Sequence, residues 1–305
     1  MRKPVTVIGA AAIGDYIFEV NHLPQMGEIV QITSDNFTFV PGGCAPNIAV
    51  GLAAIGKTHP ILHYPVGDDE EGAVVRDRWE QLGIEARFTC EVGQTSGKSW
   101  MFMQKDGTTM CFAYAGAADV SIPNQTELDG EWCVVCPVLN QFTETYLEMA
   151  IQQKKKILIT GIGNPQVAKY LKEIDILLVN KREIRELCEG TAYKSGKELA
   201  EAYPNLCLIV TCGGEGSVLF YQGGETYIPT VKPNQIVDFT GAGDAYTSGL
   251  VSAVMNGYPY EKAAYFAAAN SSFVLEKWGG QNEMPHWDML TERLEKQFPG
   301  GDWKR

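Results

Sequence analysis

Short apolar runs alternate with stretches of helical periodicity along most of this 305-residue chain. Such runs are typical of strands buried on both faces, and strands of that kind are joined by crossover helices in parallel sheets. The alternation therefore predicts an α/β fold: a three-layer sandwich in which a mostly parallel central sheet carries helices on both faces. The predicted strands are 5–9, 60–66, 132–136, 156–160, 174–179, 206–211 and 217–221, and the predicted helices are 45–55, 71–82, 143–153, 181–189, 196–203, 243–256 and 260–277.

Two segments interrupt this alternation. Residues 28–40 and 99–114 are rich in β-branched and aromatic side chains, and the second contains a hairpin-turn signal, Lys105-Asp106-Gly107-Thr108. Strands without an intervening helix predict a small β-sheet lid, although two extra edge strands of the main sheet would give the same pattern. We expect a single domain over residues 1–305, with lid segments inserted at about 14–40 and 96–118.

Aromatic side chains recur at alternate positions of the lid segments. One face of the lid therefore either stacks on a sugar or base ring, or packs against the body of the protein or the lid of a second copy. The six residues are Phe37, Phe39, Trp100, Phe102, Phe112 and Tyr114.

The charge balance limits the possible partners. A formal net charge of −12 argues against nucleic acid and anionic membranes, because both require a basic surface. No apolar run reaches the length of a transmembrane helix, and we expect a soluble, cytoplasmic protein. An anionic ligand must then be bound locally, by backbone N–H groups, a metal ion or single cations.

The strongest chemical signal lies at residues 237–246, before a helix of small residues. Gly241, Ala242 and Gly243 allow backbone N–H groups to converge at the helix N-terminus, where the helix dipole attracts phosphate. Asp244 follows in the first turn, and a carboxylate beside a γ-phosphoryl group can accept the proton of an attacking hydroxyl. A capping aspartate after a glycine-rich turn is the alternative interpretation.

Polar and glycine-rich sites also follow other predicted strands. Gly42 and Gly43 open the helix that carries Asn47, whose carboxamide offers a donor and an acceptor to a polyol. Asp15 follows the first strand and can accept hydrogen bonds from two neighbouring hydroxyls. Two more strand ends carry Asn180 with Glu183, and Thr211 with Gly213 and Gly216. Singly, each of these sites is a turn or a cap in many proteins.

Together and in this order, these motifs resemble the ribokinase (phosphofructokinase B) family of carbohydrate and nucleoside kinases, from about residue 4 to residue 286. The resemblance implies the ribokinase-like fold, with a lid that excludes water and often supports a homodimer. It implies ATP as phosphoryl donor, Mg²⁺ as cofactor and, in many members, a monovalent cation such as K⁺. The implied substrate is a small sugar or nucleoside.

The resemblance also implies a role for each motif. The catalytic group comprises the base Asp244 and the anion hole Gly241, Ala242 and Gly243. The substrate-binding group comprises Asp15, Gly42, Gly43 and Asn47. The ATP-binding group comprises Asn180, Glu183, Thr211, Gly213 and Gly216, of which Glu183 also binds Mg²⁺ through water. Asp238 and Thr240, with the turn 277–281, match the monovalent-cation site.

Two departures from the family bear on the substrate. Position 44 is Cys where several relatives carry Lys, and the lid end 114–118 has no Arg. A sugar phosphate would need cations near its distal phosphate, so we expect an unphosphorylated sugar. A nucleoside of the adenosine, inosine or pseudouridine type is the alternative, and a non-catalytic sugar- or nucleotide-sensing protein is a third interpretation.

The strand end at residues 160–164 departs from the family as well. Thr-Gly-Ile-Gly-Asn stands there, where many relatives carry an Asp and an Arg. Support of the site by charged side chains of this loop is therefore not expected.

Overall fold

The strands divide between two sheets. The computed structural model describes residues 2–35, 38–105 and 108–303, and within them lie a nine-stranded and a four-stranded sheet. The larger sheet contains β1 (Lys3–Gly9), β4 (Thr58–Gly67), β5 (Glu85–Glu91), β8 (Trp132–Cys136), β9 (Lys156–Thr160), β10 (Ile176–Asn180), β11 (Cys207–Thr211), β12 (Ser217–Tyr221) and β13 (Gly224–Ile228). The smaller sheet contains β2 (Gly14–Glu19), β3 (Phe39–Pro41), β6 (Lys98–Met103) and β7 (Thr109–Tyr114).

The mostly parallel central sheet predicted from the sequence is confirmed. Its strand order is β13-β12-β11-β10-β9-β8-β1-β4-β5, and every neighbouring pair from β11 to β5 is parallel. β12 and β13 add an antiparallel edge. The carboxyl ends of the parallel strands thus share one edge of the sheet, which is where ligands bind in open α/β folds.

Two strands of this sheet, β5 and β13, are not predicted by the sequence pattern. Both lie at the ends of the strand order, and most of their residues are at least partly exposed. An edge strand needs no continuous apolar run, because solvent can cover part of its surface. The apolar-run criterion therefore identifies the central strands and fails at the edges.

Helices cover both faces of the larger sheet, as predicted. They are α1 (Cys44–Ile55), α2 (Glu70–Gln81), α3 (Ala117–Val120), α4 (Gln141–Gln152), α5 (Lys181–Glu189), α6 (Gly196–Ala202), α7 (Ala242–Met255), α8 (Tyr260–Val274) and α9 (Trp287–Gln297). One buried apolar cluster joins the sheet to α1, α7, α8 and α9, and a second joins it to α4, α5 and α6. No helix in the described part of the chain has the length and apolarity needed to cross a membrane.

The smaller sheet is the predicted lid. Its order is β3-β2-β6-β7, with β2 and β6 parallel and β6 and β7 in an antiparallel hairpin. Because it is a separate sheet, the alternative of two extra edge strands of the main sheet is wrong. The predicted turn residues Asp106 and Gly107, and the aromatic residue Phe37, lie outside the described residues.

The predicted strand 28–40 is wrong over most of its length. β3 begins only at Phe39, and within the described residues before it an isolated bridge joins Ile32 to Val20. The lid instead uses β2. The sequence pattern does not predict β2, because its first residues, Gly14-Asp15, come soon after β1 ends at Gly9 and have the composition of a turn.

The two faces of the lid differ in chemistry. Tyr16 and Trp100 stack with ring centroids 6.5 Å apart, and Phe18 and Phe102 stack at 5.3 Å. Side chains alternate between the faces of a strand, so Asp15 lies on the other face. The aromatic face is therefore opposite the face that carries Asp15.

Candidate active site

Three polar side chains converge near the starts of β2, α1 and α7. They are Asp15, Asn47 and Asp244. Asn47 Nδ2 donates to Asp244 Oδ2 at 2.8 Å, across a sequence separation of 197 residues. Asp15 lies close enough for its charge to raise the pKa of Asp244. The structure thus brings together residues that the sequence assigns separately to substrate binding and to catalysis.

The N-terminus of α7 is open. Gly241 has φ 78°, in the left-handed region that favours glycine, and a Cβ on it would lie 2.5 Å from the Cα of Gly280. No side chain within the described residues caps this 14-residue helix, and a Cβ on Gly243 would have no neighbour within 4 Å. Ala242 N donates to the carbonyl oxygen of Phe239 at 3.3 Å, but Gly243 is exposed and borders open space, so the helix N-terminus leaves room for a phosphate group.

Asp244 is not the N-cap of α7, because that position belongs to Gly241. Its carboxylate accepts hydrogen bonds from the Asn47 amide and the Cys44 thiol. Burial raises the pKa of Asp244 to about 7, the two hydrogen bonds oppose this rise, and the charge of Asp15 adds to it. A carboxylate with this pKa is suited to accept a proton near neutral pH.

Asp15 is held in place by a lid residue, Ser99, and by the glycine pair before α1. Ser99 Oγ on β6 donates to Asp15 Oδ1, and burial raises the pKa of Asp15 while this bond opposes the rise. A Cβ on Gly42 would lie 3.0 Å from Asp15 Oδ2. Gly43 has φ 91°, and a Cβ there would lie 2.2 Å from the carbonyl oxygen of Ala12. Gly42 thus allows the backbone before α1 to approach this carboxylate, and Gly43 allows it to approach Ala12, which precedes β2.

Three further residues contact the side chains of the site, and no sequence motif predicts their contacts. They are Ser99, Cys44 and Gln281. Gln281 Nε2 donates to Asn47 Oδ1 at 2.9 Å. Ser99 and Gln281 lie 84 and 234 residues away from their partners, so sequence spacing carries no signal for either contact. Cys44 directly follows the glycine pair, and that position is the signal by which its contact could be found.

Asp238 and Thr240, which are predicted to bind a monovalent cation, form one compact turn. Asp238 Oδ1 accepts from the backbone N of Thr240 at 2.9 Å and from its Oγ1 at 2.8 Å. Asp238 Oδ2 accepts from the backbone N of Gly279 at 2.8 Å. The Asp238 carboxylate therefore ties the turn before α7 to the turn 277–281.

The predicted ATP-binding residues lie near the carboxyl ends of β10 and β11, where Asn180 and Thr211 are register partners. Asn180 is also the N-cap of α5: its Oδ1 accepts from the backbone N of Glu183, and Glu183 Oε2 accepts from the backbone N of Asn180 at 2.9 Å. Gly213 and Gly216 have φ 58° and 85° in the turn after β11. The Asn-x-x-Glu spacing thus has a structural role, as a capping box, beside the predicted one.

The loop 160–164 joins the sheet to two helices by neutral contacts. Thr160 Oγ1 lies 3.2 Å from Thr247 Oγ1 on α7. A Cβ on Gly163 would lie 2.7 Å from the Cα of Glu183, so the loop passes close to the start of α5. These contacts are made by a hydroxyl and by backbone.

Comparison with known proteins decides the family. The family model described as "pfkB family carbohydrate kinase" matches residues 3–287. The chain belongs to the pfkB family. A nucleoside kinase from Methanocaldococcus jannaschii is 30% identical to this pfkB-family chain, over 96% of the chain and 97% of its own length. A ribokinase from Lactococcus lactis is 26% identical, also over 96% of the chain and 97% of its own length.

Solved structures confirm the ribokinase-like fold of this pfkB-family chain. The crystal structure of the Methanocaldococcus jannaschii nucleoside kinase has a TM-score of 0.80 at 28% identity and covers 97% of this chain and 100% of its own. Burkholderia thailandensis nucleoside kinase in complex with inosine has a TM-score of 0.84 at 21% identity, covering 96% and 98%. Membership of the pfkB family indicates a kinase.

Proposed function

We propose that this chain transfers the γ-phosphoryl group of ATP to a primary hydroxyl of an unphosphorylated ribonucleoside or sugar, with Asp244 as the base. The observation that carries the proposal is the position of Asp244. It is the third residue of α7, beside the open helix N-terminus, and burial raises its pKa to about 7. A base and an anion-binding site therefore adjoin one another, as phosphoryl transfer to an alcohol requires.

Each group of the site has a part in the proposed transfer. Asp15 accepts hydrogen bonds from substrate hydroxyls, and Asp244 accepts the proton of the attacking hydroxyl. The hydroxyl oxygen bonds to the γ-phosphorus as the bond from that phosphorus to the bridging oxygen breaks, and ADP leaves. Backbone N–H groups at 241–243 stabilise charge on the transferred group. Positioning and charge stabilisation supply most of the rate, because the transfer needs little covalent work from the protein.

The chain has residues that fit the two cations implied by the family. Glu183 is a carboxylate with 8% exposure in the first turn of α5, and it would hold Mg²⁺ through water. Bound Mg²⁺ would neutralise charge on the ATP phosphates. Asp238 is 9% exposed, and its hydrogen-bond donors Thr240 and Gly279 are neutral, so a monovalent cation beside it would balance its charge.

A neutral group beside Asp244 favours an unphosphorylated substrate. The thiol of Cys44 donates to Asp244, and burial raises its pKa well above the usual value, so the thiol stays protonated. A cation at this position would balance the negative charge of a substrate phosphate, and a thiol does not.

A nucleoside is the first candidate substrate. A cleft of about 480 Å³ lies between the lid and the body, and apolar side chains such as Met103, Phe239 and Trp278 line it. Such walls suit the planar ring of a base. The relative from Methanocaldococcus jannaschii is itself a nucleoside kinase. The free sugar expected from the sequence is the second candidate, supported by the ribokinase from Lactococcus lactis.

The acceptor is tested by ADP release with Mg·ATP across inosine, adenosine, pseudouridine, ribose, fructose and fructose 6-phosphate. We expect the highest kcat/KM with a nucleoside. A higher value with ribose or fructose would make the sugar the substrate, and comparable turnover of fructose 6-phosphate would contradict the unphosphorylated acceptor.

Replacement of the base tests the proposed chemistry directly. Asp244→Asn keeps the side-chain size and removes the proton acceptor, so we expect kcat to fall by roughly a hundred- to ten-thousandfold. ATP affinity and the far-UV circular dichroism spectrum should stay as in the wild type. Near-wild-type turnover by Asp244→Asn would show that another group takes the proton.

A further inference from the structure

Both ends of the Asn47 carboxamide are engaged by side chains from distant segments. The oxygen accepts from Gln281 Nε2 at 2.9 Å, and the nitrogen donates to Asp244 Oδ2 at 2.8 Å. Gln281 closes the turn 277–281, Asn47 lies in the first turn of α1, and Asp244 lies in the first turn of α7. A continuous hydrogen-bonded row therefore runs from the turn to the proposed base.

The direction of this row matters because a carboxamide has two unlike ends. Only the NH₂ end of Asn47 can donate to the Asp244 carboxylate, and the flipped orientation would place two acceptor oxygens against each other. Gln281 donates to the oxygen end and so favours the productive orientation. Asn47 is only 6% exposed, which limits the access of water as a substitute donor.

The turn that carries Gln281 is firmly supported. Gly279 N donates to Asp238 Oδ2 at 2.8 Å, and Asn282 Nδ2 donates to the carbonyl oxygen of Trp278 at 2.6 Å. A Cβ on Gly280 would lie 2.9 Å from Asn47 Nδ2, so the backbone of the turn itself packs against the Asn47 side chain. Gln281 therefore approaches Asn47 from a fixed position.

We propose that Gln281 is a positioning residue for phosphoryl transfer, which holds the Asn47 carboxamide in the orientation that donates to Asp244. This rests on the proposed function, in which Asp244 is the base, and Asn47 belongs to the substrate-binding group expected from the sequence. Without the Gln281 donor, the Asn47 side chain samples other orientations. Asp244 and the attacking hydroxyl are then held less well for in-line transfer, so the loss falls mainly on kcat.

The kinetic test uses Gln281→Met, which keeps the length of the side chain and removes the donor. With Mg·ATP and inosine or ribose, whichever the wild type phosphorylates faster, we expect kcat/KM to fall about tenfold, the effect of one buried hydrogen bond. The KM for ATP should not change. An unchanged kcat/KM would overturn the proposal.

A double-mutant cycle with Asn47→Ala distinguishes positioning from a separate structural role. If Gln281 acts through Asn47, Gln281→Met should cause little further loss in the Asn47→Ala background. A second, independent loss of about tenfold would contradict the proposal. The matched control is Asn282→Leu, which removes the hydrogen bond from Asn282 to the Trp278 carbonyl of the same turn. We expect it to stay within about twofold of the wild type, and a loss equal to that of Gln281→Met would assign the effect to the turn instead.

A measurement without turnover separates this proposal from the proposed function. In ¹⁵N-labelled protein, the side-chain NH₂ signals of Asn47 should shift and exchange faster with water in Gln281→Met than in the wild type. Unchanged Asn47 signals would overturn the role of Gln281 whether or not an acceptor has been found. Failure of the wild type to phosphorylate every acceptor would instead refute the proposed function, and the NMR comparison would still decide whether Gln281 orients Asn47.

Discussion

Asp244 shows how its surroundings, more than its residue type, set the reactivity of a single side chain. An aspartate in water is ionised well below neutral pH, but burial raises the pKa of this one to about 7. Hydrogen bonds from Asn47 and Cys44 keep the rise from being larger, and the charge of Asp15 contributes to it. The result is a carboxylate with far greater proton affinity than a surface aspartate, at the place where a proton must be accepted.

The raised pKa predicts the pH dependence of the reaction. With saturating Mg·ATP, kcat/KM for the acceptor should rise with pH and level off above about 7, because protonated Asp244 cannot accept a proton. The measurement is a pH–rate profile across neutrality. Cys44→Ala removes a donor to the ionised form, so its midpoint should move to higher pH. A profile that is flat through neutrality would contradict the assignment.

At the scale of elements, the start of α7 combines a glycine that the fold needs with one that it does not. Gly241 is held in a left-handed conformation against Gly280, whereas Gly243 is helical and borders open space. We therefore expect Gly241→Ala to lower the thermal unfolding temperature. Gly243→Ala should leave that temperature unchanged or slightly higher, because alanine favours a helix.

Activity should separate the same two variants in a second way. The added methyl group of Gly243→Ala would occupy space beside the first N–H groups of α7, so we expect lower kcat despite unimpaired stability. Thermal unfolding and initial rates, measured on both variants, give the comparison. Full activity in Gly243→Ala would show that phosphate does not approach α7 at this position.

The junction of the lid with the body is a compact ionic cluster. Lys98, the first residue of β6, pairs with Glu71 and with Asp69 of the α2 N-terminus, and Tyr16 Oη donates to Glu71 at 3.0 Å. Burial by itself raises the pKa of Asp69, but hydrogen bonds from Ser96 and Gly72 and the charge of Lys98 hold it at about 2. The cluster thus fixes the starts of two lid strands against α2.

Removal of the cation should destabilise this junction. Lys98→Met leaves the carboxylates of Asp69 and Glu71 without their cation. The three side chains are only 13–17% exposed, so little solvent can replace it. We expect the free energy of unfolding to fall by about 2–4 kcal/mol. Urea denaturation measures it. Lys197→Met breaks a well-exposed pair with Glu225 and should cost less than about 1 kcal/mol. Equal losses in the two variants would show that the Lys98 cluster adds nothing particular to the fold.

At the scale of the whole molecule, the lid presents an unprotected edge. β7 is the last strand of the lid sheet, and its residues Phe112 and Tyr114 are 58% and 47% exposed. An exposed edge strand with aromatic side chains is a surface on which another chain can pack. Because the aromatic face lies opposite Asp15, a partner there would leave the cleft free. We expect the partner to be the lid of a second copy.

The predicted homodimer can be tested by molar mass in solution. Wild-type protein should sediment as a dimer, and Phe112→Glu should sediment as a monomer, because a buried unpaired charge opposes association. Tyr227→Glu alters an equally exposed aromatic residue on β13, away from the lid, and should not change the molar mass. A monomeric wild type would refute the lid dimer.

The sequence by itself determined the layered α/β architecture and the motifs at the strand ends. The burial of central strands and amphipathic helices is visible in local apolar periodicity. Phosphate-binding turns are recognised by small residues at short spacing. Edge strands such as β5 and β13 lack that periodicity, because solvent replaces one of their neighbours. β2 is missed for a related reason. Its first residues have the composition of a turn, and their strand conformation depends on pairing with β6, which is distant in sequence.

Only the tertiary structure decided which residues of the site touch. The contact between Asn47 and Asp244 spans 197 residues, and the one between Gln281 and Asn47 spans 234. Neither is encoded by local spacing, because each depends on how α1, α7 and the turn 277–281 pack over the same sheet edge. The same packing removes Asp244 from water and raises its pKa. Local sequence can supply an aspartate at the start of a helix, but the tertiary environment makes it suited to act as a base near neutral pH.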